Sequence, residues 1–497
     1  MKLHFRRLSS LALFAPLLAT ACVVGPNFKR PAAPPVSTYT ANPPLTTEAT
    51  KGVPGGEAQT FPPNGDIPAD WWTLFHSKPL NDLIEKALLN NADLKAAQAA
   101  LLVAHENTRA QHGASFPQVS AGATITREKD PSGSLAAVPS NNAFLYTLVT
   151  PQISVSYVPD VFGLHKRTVE AAAAQEQASR YQMIAVDITL SANVALAVIQ
   201  QASLEDQIDA TNELIGIDRQ MLSILRYQQS KGYVGGPDVA AQQAQLEQLE
   251  ATLPPLLKQR DQQDHLVAAL TGRFPAQAPA TKLTLADFTL PSDLPLSVPS
   301  TLVAQRPDVL QAEENMHAAS AQIGVATANR LPNITLSANA GSTALAIGQV
   351  FGPGTGFWNI GAALLAPIFD GGTLLHEQRG ARAAYQQSAE QYRGTVLAAF
   401  QNVADTLSAL ENDAETLKST AAATDSAKAS LDLVRLRYKD GYDSYLALLN
   451  AEQAYRQARL TRVQAEAARF ADTAALFQAL GGGWWHRAEL NGYASAR

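Results

Sequence analysis

Thiol chemistry is nearly missing from this 497-residue chain: its single cysteine, Cys22, excludes an intrachain disulfide and any thiolate-rich metal site. Large aromatics are scarce too. Phe, Trp and Tyr make up 7% against 46% apolar residues overall, so the apolar content is mainly alanine and leucine, which suits closely packed helices. There is no basic excess; a formal charge of −6 argues against the cationic surface of a nucleic-acid binder, and no nucleic-acid partner is expected. H-E-x-x-H, the P-loop and G-x-S-x-G are all missing, so no enzyme is expected. The nine histidines are scattered, and His105 and His112, seven apart on a predicted helix, read as a structural or solvated pair; no metal or cofactor is expected. Gly352-Pro353-Gly354-Thr355-Gly356-Phe357 is glycine-rich but opens no helix, which makes it a loop and not a phosphate cradle. The acids Glu313, Glu314, Glu411, Asp413 and Glu415 sit on amphipathic patterns and read as solvated or lumen-facing.

The N-terminus has the order of a secretory signal: Lys2, Arg6 and Arg7, an apolar run at 11–18, then the small residues Ala19-Thr20-Ala21. The run is far short of the ~20 residues that span a bilayer. Cleavage after Ala21 leaves Cys22 first, which resembles a bacterial lipoprotein signal with a lipidated cysteine, although Ala19 stands where a leucine is usual. Loss of three cations takes the charge from −6 to −9. No later uncharged run reaches ~20 apolar residues, so a membrane crossing has to be made by strands.

The rest of the chain repeats. Phe116-Pro117 is matched by Leu331-Pro332, Val158-Pro159-Asp160 by Ala366-Pro367-Ile368-Phe369-Asp370, and Leu225-Arg226-Tyr227 by Leu436-Arg437-Tyr438, at offsets of about 208–215 residues. The expected organisation is a signal peptide (1–21), an extended anchored arm (22–78), a first repeat (79–272), a Pro-rich linker (273–299), a second repeat (300–483) and a tail (484–497). Each repeat reads helix, strand, strand, very long helix, Gly-containing turn, helix. One helix is expected from Pro79 to about Gly113. The proline-free stretches 163–231 and 371–439 predict rods of about 100 Å at 1.5 Å per residue. Met183, Val186, Leu190, Val194, Ala197 and Val198 recur there at three- and four-residue steps. Pro254-Pro255 should break the helix that follows the first rod, and the second repeat has no equivalent break.

Strands are predicted at about 115–128, 143–158, 333–343 and 356–367. Gln118-Val119-Ser120-Ala121-Gly122-Ala123-Thr124-Ile125-Thr126 alternates polar and apolar, as do 152–157 and 333–340, and 358–362 more loosely. This is the transmembrane β-barrel pattern, with Phe144, Tyr146, Phe357 and Trp358 placed for interfacial girdles; a soluble sheet with one wet face shows the same alternation. Four strands cannot close in lipid. Two chains would give eight strands around a filled interior, and three would give twelve around a lumen.

Cys22 with Val24-Gly25-Pro26-Asn27-Phe28-Lys29-Arg30-Pro31, Asp70-Trp71-Trp72, Arg306-Pro307-Asp308-Val309, Arg437-Tyr438, Leu446-Ala447-Leu448-Leu449 and Leu480-Gly481-Gly482-Gly483-Trp484 together resemble the TolC-like outer-membrane factor family, in its lipoprotein branch serving resistance-nodulation-division efflux pumps. The resemblance covers nearly the whole mature chain. It implies a mainly α fold with a small membrane β-barrel: a trimeric α/β-barrel channel, with a periplasmic adaptor and an inner-membrane pump as partners, outer-membrane lipid around it, and a passive duct for small molecules. It further implies a periplasmic gate within 438–453, where Tyr438 and Leu446 fit and where Asn450 and Gln453 replace a charged pair. The turns holding Gly232, Gly235, Gly441 and Tyr442 map to adaptor-facing tips. A type I protein-secretion duct and a lipid-anchored periplasmic scaffold are the alternatives; the lipoprotein signal favours small-molecule efflux over secretion.

Overall fold

The computed structural model is mainly helical, with one four-stranded antiparallel sheet in the order β1-β2-β3-β4. It describes residues 23–41, 46–62, 65–129, 145–278, 282–296 and 299–492; the expected signal peptide, Cys22, Phe144 and residues 493–497 lie outside the described residues. In chain order the elements are α1 (Lys78–Asn90), α2 (Ala92–Gly113), β1 (Gln118–Lys129), β2 (Leu145–Tyr157), α3 (Leu164–Ser230), α4 (Gly236–Glu250) and α5 (Leu253–Leu270). The second series is α6 (Pro299–Gln305), α7 (Pro307–Ala328), β3 (Asn333–Ser342), β4 (Gly356–Leu365), α8 (Thr373–Lys439) and α9 (Tyr445–Ala479), with α10 (Ala488–Gly492) closing the chain. Helix, strand pair, 67-residue helix and returning helix thus occur twice.

The single helix expected at 79–113 is two. Asn91 interrupts it, because its Oδ1 accepts from the amides of Asp93 and Leu94 at 2.9 and 3.0 Å and so caps a new helix. Pro254 and Pro255 fall in the first turn of α5, where a missing N–H leaves no bond unmade. One stretch of α3 is long and apolar enough to span a bilayer by composition, but 67% of it is buried against other protein. Its Met183, Ile184, Val194 and Val198 are core residues.

Two compact units form. The first takes in residues 23–31, Leu101–Ala178 and Ala312–Tyr392 and contains the sheet. Its N-terminal strip is tied down along its length. Val24 N–H donates to Phe162 O at 3.1 Å, and the buried Arg167 guanidinium donates to Val24 O, Gly25 O and Asn27 Oδ1 at 3.0, 3.3 and 2.8 Å. Phe28 stacks on His317 with centroids 4.5 Å apart, and Arg30 pairs with Glu313 at 2.9 Å.

The second unit comprises Ala32–Ala100, Ser179–Gln311 and the chain from Arg393 onward. Its aromatic centre is Trp71, Phe75, Phe470 and Phe477, with Trp71 stacked on Phe477 at 5.3 Å. The arm is pinned to α9 by Arg469, whose fully buried guanidinium donates to Leu410 O, Thr47 Oγ1, Glu57 O and Gly55 O at 2.8–3.4 Å. Gln59 adds bonds to Pro291 O and Thr473. A segment poor in regular structure is therefore ordered by side chains that satisfy its carbonyls.

Candidate functional site

The sheet is two-faced. In the observed register Val119 opposes Val155, Ala121 Ile153, Ala123 Pro151 and Ile125 Val149. Ile153 and Val155 in turn oppose Ala340 and Ala338, which oppose Trp358 and Ile360. Since opposed residues share a face, one face is apolar across all four strands. The other carries Gln118, Ser120, Gly122 and Thr124, then Gln152, Ser154 and Ser156, then Ser337, Asn339 and Asn359. On it Asn339 donates to Asn359 at 2.9 Å. A Cβ on Gly341 would lie 2.4 Å from Pro151 O, so glycine lets β2 and β3 approach there.

Both faces are largely uncovered within one chain: Val119, Ile125, Ile153, Trp358, Ile360 and Leu364 are all exposed. A soluble sheet would cover such a face. Of the described aromatics expected at girdles, only Trp358 is on the apolar face. Tyr146 and Phe357 fall on the polar one by register, and the Tyr146 hydroxyl reaches Glu128 at 3.0 Å.

At the other ends of the long helices, α3 and α8 close identically. Gly232 and Gly441 have φ +79° and +82°. Tyr233 and Tyr442 N–H donate five residues back, to Gln228 O and Arg437 O at 3.0 and 2.8 Å, and the glycine N–H groups donate to Gln229 O and Tyr438 O. These are Schellman turns, which require a residue tolerant of the left-handed region. Gly235 then precedes α4 as Ser444 precedes α9; Ser444 Oγ caps Ala447 N–H at 3.2 Å, while Gly235 N–H donates to Asp238 at 3.3 Å. The Tyr233 and Tyr442 rings stand 79% and 78% exposed at the two tips.

Leu446, Asn450 and Gln453 line one exposed stripe of α9 at helical spacing. Tyr438 is not on that stripe. Its half-buried ring lies 6.1 Å from that of Tyr445, against the core of Leu214, Leu222, Leu246, Leu431 and Leu448. The structure thus separates the four gate residues into an exposed stripe and one packed tyrosine.

Sequence reasoning missed the opposite face of α9. Glu452, Tyr455, Arg459, Arg462, Glu466, Arg469 and Thr473 follow steps of three and four, the spacing of a packed seam. Glu452 is buried and receives Arg435 at 3.2 Å; burial, with the Asp218 carboxylate adding to it, pushes its carboxyl up to about 7. Burial likewise holds Glu466 up to about 7, against the pull of Arg462 at 3.0 Å. Tyr445 donates to the fully buried Gln242, joining α9 to α4, and burial raises its phenol further. The available signal was the 3-4 spacing itself, with Leu448 and Tyr455 bracketing Glu452.

A sheet apolar on one face, polar on the other and too small to close, each of its two hairpins followed in the chain by a 67-residue helix, defines an outer-membrane channel subunit. The model of the outer membrane efflux protein family matches residues 83–273 and 298–482, and the chain belongs to that family. Outer membrane protein OprJ of Pseudomonas aeruginosa is 27% identical over 475 residues, 95% of each chain. The toluene efflux pump outer membrane protein TtgF of Pseudomonas putida is 28% identical, over 97% of this chain and 98% of its own. The open-state crystal structure of the Neisseria gonorrhoeae MtrE outer membrane channel superposes with a TM-score of 0.79 at 26% identity, over 93% of this chain and 99% of that one. The protein is an efflux exit duct of the outer membrane.

Proposed function

We propose that three copies pool twelve strands into one barrel, each β1 edge pairing with a neighbour's β4, and that the barrel passively conducts small molecules delivered by an inner-membrane resistance-nodulation-division pump through a periplasmic adaptor. The observation that carries this reading is the apolar face that runs across four strands whose two edges are unpaired among the described residues. Twelve strands leave a lumen, while eight fill with side chains. The tips around Gly232, Gly235, Gly441 and Tyr442 are the adaptor-facing turns, their exposed tyrosines supplying amphipathic contact surface. Leu446 of each copy forms an apolar ring at the closed mouth, with Asn450 and Gln453 contributing neutral hydrogen bonds one and two turns on, weaker than a charged latch.

Cys22 carries a covalent lipid in this reading, and no other cofactor or catalytic step is needed. Arg167 holds residues 24–27 beside Phe162, next to the point where β2 passes into α3. The test is native mass spectrometry of the purified protein together with planar-bilayer recording. A lipidated trimer with steady single-channel conductance is expected; a monomer that never conducts contradicts the proposal. Leu446→Ser should raise the conductance of the trimer, and an unchanged value counts against the apolar ring.

A further inference from the structure

The turn-bearing end of the second unit holds a buried acid pair for which conduction alone has no use. Asp218 on α3 and Glu452 on α9 are each 5% exposed, and their carboxyls lie within hydrogen-bonding reach of one another. Groups from three helices face them. Arg435 on α8 donates to Glu452 Oε1 at 3.2 Å. Arg456 on α9 adds a second positive charge near Asp218. From α4, Gln242 Nε2 donates to Asp218 O at 3.4 Å and its Oε1 accepts from the Tyr445 hydroxyl. Asp238 on α4 and Tyr438 on α8 are the next titratable groups outward.

Within this cluster Glu452 Oε2 is buried and receives no hydrogen bond. Two ionised carboxylates are acceptors only, so neither can satisfy the other. One proton converts an orphaned, mutually repelling pair into a donor and an acceptor. The tie matters because α3 and α4 form one reversing helix pair and α8 and α9 the other, and Asp218–Glu452 spans them.

We propose that Asp218 and Glu452 form an acid-tightened latch, in which one shared proton fastens α9 to α3 and its loss lets the α8–α9 pair swing outward and widen the mouth. The inference deepens the channel reading and rests on it for the consequence of that movement. The sign follows from linkage. The packed pair retains a proton that separated, hydrated carboxyls release, so acid favours the packed state, and the preference fades as pH rises from the ordinary carboxylate range to neutrality.

The test records single channels of the intact trimer between pH 5.5 and 8. Wild type should open roughly ten-fold more often at pH 8 than at pH 5.5. Glu452→Gln and Asp218→Asn, whose amides replace the shared proton with a fixed donor, should remain closed throughout. A flat wild-type profile, or a wild-type pH response in both amide variants, overturns the latch. In parallel, nitroxides introduced by Gln220→Cys and Gln457→Cys, both on exposed positions, report the α3–α9 separation without requiring conduction. A distance that lengthens with pH in the wild-type background and stays fixed with Glu452→Gln supports the latch, even should the protein prove not to conduct. A distance indifferent to pH sinks it.

Discussion

Asp160 and Asp370, about 210 positions apart, start the two longest helices by the same device. Asp160 accepts from the amides of His165 and Lys166 at 3.0 and 2.8 Å, and Asp370 from those of Gly372 and Leu374, both at 2.8 Å. Those backbone bonds hold the Asp370 carboxyl below its usual range. Each carboxylate also sits at the positive end of a helix. Asp160→Ala should lower unfolding free energy by about 1 kcal/mol, and Asp370→Ala should lower it as well. Denaturant titration of the two variants checks this, and a loss at one site only would show that the caps are not equivalent.

Arg469 should be among the most sensitive positions in the chain. Removing its side chain takes a donor from four acceptors at 47, 55, 57 and 410, at a cost of about 3 kcal/mol. Arg469→Met should open the arm to proteolysis near residues 47–57. Lysine should rescue poorly, because one ammonium cannot reproduce the planar fork of donors.

Two glycines with similar backbone separate conformation from crowding. Gly25 has φ +91°, and a Cβ there would lie 2.4 Å from Gly324 Cα; Gly52 has φ +77° with nothing within 4 Å. Gly52→Ala should cost about 1 kcal/mol for the left-handed backbone alone. Gly25→Ala should cost more and displace the strip that Arg167 holds. Hydrogen exchange at residues 23–30 should accelerate in Gly25→Ala and in Arg167→Ala, and remain unchanged in Gly52→Ala.

Glu466 gives stability of the second unit a pH dependence. It is 3% exposed, its carboxyl is held up to about 7, and in the unfolded chain it titrates near ~4.3. Between those values the folded state binds the extra proton, so stability falls as pH rises from about 4 to 7. The burial penalty is on the order of 3–4 kcal/mol at pH 8. Glu466→Gln should remove that part of the slope, which melting curves at pH 5.5 and 8 would detect as a smaller difference than in wild type.

Much of the architecture is legible because its cause is local and periodic. Val119 to Ile125 alternates strictly, and the strand pairing puts those side chains on one face with Ile153 and Ala338. The repeat is visible because Gly232 and Gly441, like Asp160 and Asp370, are demanded by the backbone at helix ends. Asn91 was readable as a cap but hidden in an otherwise helical composition. The α9 seam was not legible. Glu452, Arg462 and Glu466 look like a solvated face until Asp218 and Arg435, distant in sequence, are placed against Glu452. Leu446, Asn450 and Gln453 fall on a common stripe in one chain, and their meaning depends on other copies.

The central claim is that one face of the sheet meets lipid and the other meets water. Nitroxides placed singly at residues 119–126 of the reconstituted protein test it directly, read by collision with oxygen, which concentrates in lipid, and with a water-soluble nickel chelate. Oxygen accessibility should peak at 119, 121, 123 and 125, and chelate accessibility at 120, 122, 124 and 126. Equal chelate accessibility at all eight positions would contradict the account.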